Sequence, residues 1–335
     1  MLARPILRRV THAHKRPALG ALYALLGALL FGINGSVAKV VMAAGVTAPQ
    51  LTFMRGLSTA LIAGTVLLLT ARERFRVSRR ELVGLALLGV AGLAMIQWLY
   101  SVAISILPVG IALLIQYTAV VIVALAAWLL FKEKVSARLW WAIAAVIAGL
   151  AVVSRVWDSQ LNTLGVLAAA ASAFAYAFYF LAGERGVAKR PAMAVAFWAS
   201  LFSSAFWALF SGWWRIDLDA LAQPTSLTGA LEGVVLPAWL PLLWVVTLGA
   251  FAPFVLSFAA LRHLSATAVG ILASSEVLFA FIVAWMWLGE AMAAIEIAGA
   301  AVVLAGIVIA QTARERAATA RPDPSVVPEV PTEVP

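Results

Sequence analysis

The sequence contains no cysteine, which excludes disulfide bridges and metal sites built on thiolates. Its three histidines, His12, His14 and His263, do not form a cluster with the spacing of metal ligands. The motifs of P-loop ATPases, serine hydrolases and zinc peptidases are also missing. We therefore predict no catalytic residue, no metal site and no bound cofactor, and we do not expect an enzyme.

Charged residues are scarce in this chain. Only 12% of its 335 residues are charged and 64% are hydrophobic, with a mean hydropathy of +1.00. About a quarter of the residues of a soluble domain are charged, so this composition predicts a membrane protein. Ten apolar runs each approach the roughly 20 residues that a helix needs to cross a bilayer. These predicted spans, numbered 1 to 10, cover residues 19–42, 51–71, 82–104, 108–130, 138–156, 162–183, 192–214, 238–260, 265–288 and 293–311.

The basic residues are divided unevenly between the two sides of the predicted spans. With a cytoplasmic N-terminus, almost all of the 24 Lys and Arg residues fall on the cytoplasmic side. The exceptions are Arg155 and Arg215 outside, and Lys39 and Arg55 within or at the edge of spans. This asymmetry follows the positive-inside rule and predicts a multi-pass protein of the inner (plasma) membrane with both termini cytoplasmic. We interpret the basic tails as topology determinants that contact anionic lipids, and we expect no nucleic-acid partner.

Part of the sequence occurs twice. Residues 103–153 align without a gap with residues 260–310 at a constant offset of 157. The matched pairs include Leu107 and Leu264, Trp128 and Trp285, Glu133 and Glu290, and Gly149 and Gly306. At an offset of 145, span 1 shows weaker matches to span 6, including Gly20 with Gly165, Phe31 with Tyr176 and Asn34 with Tyr179. The chain is therefore expected to consist of two similar halves.

Each half contains five spans, and an odd number places the second half upside down in the bilayer. We predict an all-α polytopic membrane protein of ten transmembrane helices, arranged as two inverted five-helix repeats. The segments are a basic cytoplasmic N-terminus (1–18), the repeats (19–156 and 157–311) and a Pro-rich, disordered cytoplasmic tail (312–335). Inverted repeats are typical of secondary transporters, which bind their substrate between the repeats near the bilayer midplane.

Several short motifs lie at the ends or in the middle of spans in a characteristic order. They are Phe31-Gly32-Ile33-Asn34-Gly35 with Lys39, Arg55, Leu107-Pro108-Val109-Gly110, Leu129-Leu130-Phe131-Lys132-Glu133, Ser274-Ser275-Glu276, and Leu288-Gly289-Glu290. With these motifs, residues 19–311 resemble the ten-helix EamA-type branch of the drug/metabolite transporter superfamily, and the threonine/homoserine-type amino-acid exporters are the most similar. The resemblance implies export of small metabolites, amino acids among them, without a cofactor.

The sequence departs from this family pattern at three positions. Val120 and Val277 stand where many members have a proline in spans 4 and 9. Gln116 stands where the threonine/homoserine-type exporters have a glutamate. These departures bear on which substrate the resemblance implies, and they leave the implied fold unchanged.

Three charged residues inside spans are candidates for substrate binding or coupling. A charge at the bilayer centre costs about 2.5–3.5 kcal/mol on insertion scales, so such residues are usually functional. Glu276, in the middle of span 9, is expected to bind a substrate amine or a proton, with a structural carboxylate paired to a neighbouring helix as the alternative. Lys39 and Arg55 lie toward the outer ends of spans 1 and 2. They are expected to attract a substrate carboxylate, to pair with carboxylates near the outer surface, or, for Arg55, to snorkel.

Uncharged polar residues deep in the spans are expected to line the same cavity. These candidates are Asn34, Gln97, Tyr100, Gln116, Tyr117, Tyr176, Tyr179 and Ser274. The alternative for each is a hydrogen bond between helices. Because Gln116 and Tyr117 align with Ala273 and Ser274, spans 4 and 9 are expected to face each other. The repeat-equivalent Glu133 and Glu290 lie at the hydrophobic edge, and we expect each to cap the N-terminus of the following helix.

Three classes of function are compatible with these patterns. The favoured one is a secondary transporter that exports small metabolites such as amino acids by alternating access, as a monomer or homodimer, with protons as a candidate coupling ion. An integral-membrane enzyme or lipid-handling protein would need clustered acids or histidines at one interface. A channel subunit would need a repeated pore-lining pattern. The sequence does not define the substrate, the direction or the driving force.

Overall fold

The computed structural model describes residues 16–131, 137–153, 161–182, 190–261, 263–264 and 266–319. Helices occupy all ten predicted spans, and we number them α1 to α10. The uninterrupted ones are α1 (Pro17–Ala43), α2 (Ala48–Thr70), α3 (Arg79–Ile106), α5 (Ala137–Val153), α6 (Thr163–Ala182), α7 (Ala192–Phe210) and α10 (Ala294–Thr319). The interrupted ones are α4 (Val109–Tyr117 and Ala119–Phe131), α8 (Trp239–Thr247 and Phe251–Leu261) and α9 (Ala266–Ala273, Ser275–Val283 and Ala284–Leu288).

Seven of the helices in the described part of the chain are long and apolar enough to cross a bilayer, and three shorter apolar helices complete the set. The protein is therefore an all-α polytopic membrane protein, as predicted. Two of its helices begin at capping boxes, formed by Thr47 and Gln50 at α2 and by Ser78 and Glu81 at α3. We call the face where α1 ends and α2 begins the distal face, and the opposite one the proximal face.

The C-terminal helix is longer than predicted. Helix α10 continues to Thr319, so the prediction of disorder from residue 312 is wrong for residues 312–319. This stretch is rich in Ala, Arg and Glu, which favour helix, and the first proline after it is Pro322. Residues 1–15, Glu133 and the tail beyond Thr319 lie outside the described residues.

Six helices form two bundles of three. Helices α3, α4 and α6 pack together, and so do α1, α8 and α9. The remaining helices pack as the pairs α2 with α7 and α5 with α10. The sequence repeat relates α1 to α6, α2 to α7, α3 to α8, α4 to α9 and α5 to α10. It therefore exchanges the two bundles and maps each pair onto itself, as a two-fold axis requires.

Close glycine contacts follow the same symmetry. A side chain at Gly149 would run into Val303 and the carbonyl of Gly299. One at Gly306 would run into Val146 and the carbonyl of Ala142, which are the residues that the offset of 157 predicts. Because the second repeat begins on the opposite side of the membrane, this two-fold axis lies in the membrane plane. The repeats are therefore inverted, and α5 and α10 approach most closely where both carry glycine.

A small β-hairpin between α7 and α8 is the only sheet in the described residues. Strands β1 (Pro224–Ser226) and β2 (Val235–Pro237) are antiparallel and lie on the distal side. Trp287 at the end of α9 donates a hydrogen bond from its Nε1 to the carbonyl of Leu227, at 3.0 Å. This hydrogen bond therefore holds the hairpin against the distal end of α9. The sequence analysis assigned no strand here.

Candidate functional site

A cavity of about 240 Å³ lies between the two bundles near the middle of the helices. The α3–α4–α6 bundle lines it with Leu93, Ile96, Gln97, Tyr100, Leu113, Gln116, Tyr117, Tyr176, Tyr179 and Phe180. The α1–α8–α9 bundle lines it with Phe31, Asn34, Gly249, Ala250, Phe254 and Glu276, and α2 adds Arg55. The volume is somewhat below the roughly 300–1,000 Å³ of drug-sized sites, which suits a small metabolite.

The helices around this cavity are irregular at repeat-equivalent positions. Helix α4 is interrupted at Thr118 and α9 at Ser274, which correspond within one residue under the offset of 157. Helix α3 contains a π-helical stretch at Leu88–Ala94. The same offset maps this stretch onto the interruption of α8 at residues 248–250. Irregular backbone inside a membrane is tolerated where it lines a cavity, so these four positions mark the site independently of its side chains.

Glu276 is the acidic side chain of the cavity. Tyr117 donates a hydrogen bond from its hydroxyl to Glu276 Oε2 at 2.6 Å, linking α4 of one bundle to α9 of the other. Helices α4 and α9 thus meet across the axis, as the repeat predicts. Among the described residues Glu276 has no salt-bridge partner, and its pairing with a neighbouring helix is this hydrogen bond from Tyr117. Its carboxylate is instead oriented by a neutral donor and faces the cavity.

Arg55 is the basic side chain of the cavity and is only 3% exposed. Its two terminal nitrogens lie 3.5 Å from Ser101 Oγ and 3.4 Å from Asn34 Oδ1, distances that correspond to weak hydrogen bonds. Its Nε–H finds no acceptor in the described part of the chain, and no carboxylate pairs with it there. A buried guanidinium with only neutral, distant partners favours the approach of an anion. Snorkelling of Arg55, the third sequence-based interpretation, is wrong.

Gln116 connects three helices of one bundle. Its amide nitrogen donates to Ser172 Oγ on α6 at 2.6 Å, and this hydroxyl donates to the carbonyl of Ile96 on α3 at 3.1 Å. The side chain therefore lines the cavity and also holds α3, α4 and α6 together. A glutamate at this position could only accept from Ser172, so the chain Gln116–Ser172–Ile96 depends on the amide.

Aromatic rings form much of the remaining wall. Tyr117 and Tyr176 meet edge to face at a centroid distance of 6.3 Å, and Tyr176 stacks on Phe180 at 4.6 Å. On the other side of the cavity, Phe31 and Phe254 meet edge to face at 5.6 Å. Such rings provide a broad apolar surface whose faces also attract cations.

Most of the candidates from the sequence meet in this cavity, but Lys39 and Ser274 are not among its lining residues. Lys39 lies closer to the distal face, where its Nζ pairs with Glu290 Oε1 at 2.5 Å. Of the interpretations offered for Lys39, pairing with a carboxylate is the one that the structure shows. Ser274 lies at the interruption of α9, beside the cavity.

Glu290 does cap a helix, but not the one that was predicted. Its Oε2 accepts the backbone N–H of Val109 at 2.8 Å, at the first turn of α4 in the other repeat. Helix α10, which follows Glu290 in the chain, is capped by its own Glu296, which accepts the N–H of Ala293 at 2.8 Å. Prediction from sequence proximity therefore selected the wrong helix.

The sequence analysis did not select the apolar part of the cavity. It omitted Phe31, Leu93, Ile96, Leu113, Phe180, Gly249, Ala250 and Phe254 as candidates. The repeat offers a signal for two of them, because the offset of 157 maps the candidate Gln97 onto Phe254 and the offset of 145 maps Phe31 onto the candidate Tyr176. Apolar residues in a lipid-soluble chain carry no such signal individually, since a lipid-facing leucine and a cavity-facing one look alike.

Comparison with protein families identifies the repeats. The model of the EamA-like transporter family matches residues 18–155 and again residues 163–312. The chain belongs to this family. Members of the EamA-like family are membrane transporters of small molecules and not enzymes. No curated protein sequence matches significantly.

One solved crystal structure is similar to this EamA-like protein over most of both chains. It matches with a TM-score of 0.55 and 20% sequence identity, covering 89% of this chain and 98% of the other. At this level of identity the similarity concerns the fold alone. It supports the ten-helix arrangement and says nothing about the substrate.

Proposed function

We propose that this protein is a secondary transporter that exports small zwitterionic metabolites, with amino acids as the expected class, by alternating access around the central cavity. The arrangement of the bundles supports alternating access, because the cavity lies between two symmetry-related units that can rock against each other. A single chain contains both units and all the lining residues described above.

The observation that carries the proposal is the presence of two unpaired opposite charges in one cavity. Arg55 projects from α2 and Glu276 from α9, and within the described residues neither forms a salt bridge. Charges held away from water are normally paired, because an isolated charge in an apolar medium is strongly destabilising. A zwitterion supplies both counter-charges at once: its carboxylate at Arg55 and Asn34, and its ammonium at Glu276 beside Tyr117.

The aromatic wall supports an amphipathic rather than a fully polar substrate. The rings of Tyr176, Phe180, Phe31 and Phe254 offer an apolar surface for a side chain, and ring faces near Glu276 add attraction for an ammonium group. A metabolite with opposite charges at one end and an apolar remainder makes use of each of these surfaces.

The charge distribution of the sequence supports the direction and location that we propose. Both termini and the basic loop around Arg76 are assigned to the cytoplasm of a cell with an inner (plasma) membrane. Tyr179 and Phe180, in the last turn of α6, bring the cavity wall to the proximal face, which this topology makes cytoplasmic. A cavity that opens there receives substrate from the cytoplasm, as an exporter requires.

The test is transport by the purified protein in liposomes. Exchange of labelled amino acids is measured across a panel that varies in side chain, with and without a pH gradient. We expect saturable exchange of amphipathic amino acids, and a loss of at least about tenfold in Glu276→Gln, since a contact with a charged group contributes about 1.5–3 kcal/mol. Glu296→Gln is the matched control, because that carboxylate caps α10 outside the cavity.

Two results would contradict this function. One is the absence of exchange for every zwitterion in the panel while well-folded protein is present. The other is a Glu276→Gln variant that transports like Glu296→Gln in both rate and pH dependence.

A further inference from the structure

Four groups meet toward the distal face. Glu290 Oε1 accepts from Lys39 Nζ at 2.5 Å, and Oε2 accepts from the N–H of Val109 at 2.8 Å. Lys39 Nζ also donates to the carbonyl of Leu107 at 3.3 Å. We call Lys39, Glu290, Leu107 and Val109 the distal latch.

The distal latch joins the two bundles. Lys39 belongs to α1, and Glu290 follows α9, so both charged side chains stand on the α1–α8–α9 bundle. Their partners on the other side are backbone groups of the connection between α3 and α4, the Leu107 carbonyl just after α3 and the Val109 N–H in the first turn of α4. The Glu290 carboxylate thus meets the first turn of α4, where unsatisfied N–H groups favour it, and the Lys39 ammonium meets a backbone carbonyl.

Tight packing beneath the latch closes the cavity on this side. Gly35 of α1 has no room for a side chain because Val109 and Tyr100 lie against it. Gly110 is similarly covered by Phe281 of α9. Leu107 and Val109 are completely or almost completely buried. The cavity therefore extends toward Phe180 at the proximal face and is shut at the distal face.

The chemistry of the latch suits a contact that opens and closes. The side chains of Lys39 and Glu290 are 31% and 14% exposed, so water reaches the pair at its edge. A partly exposed ion pair contributes little net free energy, because each partner regains hydration when it separates. The ion pair therefore favours one particular arrangement of the two bundles, but it adds little to the free energy needed to separate them.

We propose that the distal latch is the outer gate of the transporter, which holds the cavity closed to the distal face and breaks when the substrate is released there. This inference rests on the proposed function, since only a protein that alternates between two open states needs such a gate. Lys39 and Glu290 are positioning residues in this scheme and do not touch the substrate.

The test measures access to the cavity and needs no substrate. Because the chain has no cysteine, Ala250→Cys places a single thiol on the cavity wall. A membrane-impermeant thiol reagent is applied to the distal face of sealed vesicles. Gly233→Cys, in the open loop at the distal face, reports which side the reagent reaches.

We expect the labelling rate of Ala250→Cys from the distal face to rise about fivefold or more in Lys39→Met and in Glu290→Ala. Each change removes a partly exposed ion pair together with a charge-assisted hydrogen bond, and this loss shifts the population toward the state that is open at the distal face. Glu290→Gln, which retains an acceptor for Val109, should give a smaller rise. Glu296→Ala is the control, because it removes a carboxylate cap on the same face from α10, a helix that belongs to neither bundle.

The outcomes separate this gate from the proposed function. Labelling that is unchanged in Glu290→Ala, or that rises equally in Glu296→Ala, overturns the latch even if amino acids are transported. A selective rise in Lys39→Met and Glu290→Ala supports the latch even if no amino acid in the panel is transported, in which case the substrate class is what fails.

Discussion

Replacing Arg55 with glutamine should weaken the binding of substrates that carry a carboxylate. The guanidinium is buried beside the cavity, with Ser101 Oγ and Asn34 Oδ1 as distant partners and no acidic residue paired with it among the described residues. A bound carboxylate would be its first ionic partner. Glutamine keeps a polar side chain of moderate length and retains hydrogen-bond donors, but it removes the charge.

The size of the effect follows from the type of contact that is lost. A hydrogen bond to a charged group contributes about 1.5–3 kcal/mol, and each 1.4 kcal/mol is about tenfold in affinity. Because Arg55 is only 3% exposed, water screens this interaction little. The KM for an amino acid should therefore rise by about 10- to 150-fold. Protein stability should stay the same or increase, since the change removes an unpaired buried charge.

The assay compares an amino acid with the amine that lacks its carboxylate. In exchange experiments with liposomes, Arg55→Gln should raise the KM of the amino acid and leave the competition by the amine nearly unchanged. Arg72→Gln, at an exposed position outside the cavity, is the control for loss of one positive charge. If Arg55→Gln weakens the amino acid and the amine equally, Arg55 does not bind the carboxylate, and the zwitterion argument is refuted.

Two further predictions concern the fold. Single cysteines that replace Arg76 and Gly233 should be labelled by an impermeant reagent from opposite sides of the membrane, and Arg76→Cys only from the cytoplasm. Labelling of Arg76→Cys from outside intact cells would overturn the topology. Gly149→Ala and Gly306→Ala should each destabilise the protein by about 1–3 kcal/mol in thermal unfolding, because each new Cβ would overlap a valine and a carbonyl across the axis. Gly84→Ala, where a Cβ meets open space, should be neutral or stabilising, and similar losses at all three glycines would contradict the close approach of α5 and α10.

The sequence was sufficient to predict the architecture because the bilayer restricts the possible structures so strongly. Only helices and closed barrels satisfy their backbone hydrogen bonds in lipid, so apolar runs of about 20 residues translate directly into helices. The offset of 157 then predicted two halves related by symmetry, and the reciprocal contacts of Gly149 and Gly306 in the structure follow the same offset. Neither step required knowledge of side-chain packing.

The hairpin between α7 and α8 was beyond this kind of prediction. Its strands are three residues each, Pro224–Ser226 and Val235–Pro237, and isolated hairpins of this length are unstable in water. It is held by a contact far away in sequence, between Trp287 and the carbonyl of Leu227. The backbone at Thr228 has a φ of 62°, which the sequence does not signal.

The sequence identified those residues of the candidate site whose side chains are rare inside a membrane, and it missed the apolar ones. Glu276 and Arg55 stood out because charge is rare there, and the tyrosines and amides stood out for the same reason. Lys39 stood out for the same reason, but it lies outside the cavity and pairs with Glu290. The sequence could not show this, because the position of a residue along a helix does not tell in which direction a long side chain extends. Opposite charges at the distal ends of α1 and α9 were each visible in the sequence, but their pairing depends on the packing of the two helices.

Helices α4 and α9 are interrupted although Val120 and Val277 stand where many family members have a proline. Thr118 and Ser275, which the offset of 157 makes equivalent, each donate a hydroxyl hydrogen bond to the carbonyl three residues earlier. The acceptors are Ile115 at 2.7 Å and Leu272 at 2.6 Å. The Ile115 carbonyl also accepts the backbone N–H of Thr118 at 3.1 Å, so the hydroxyl adds a second hydrogen bond there. A hydroxyl that bonds back to the preceding turn favours a bend in the helix. Unlike a proline, valine keeps its backbone N–H at positions 120 and 277, and the N–H of Val277 donates to the carbonyl of Ser274 at 3.3 Å across the interruption of α9.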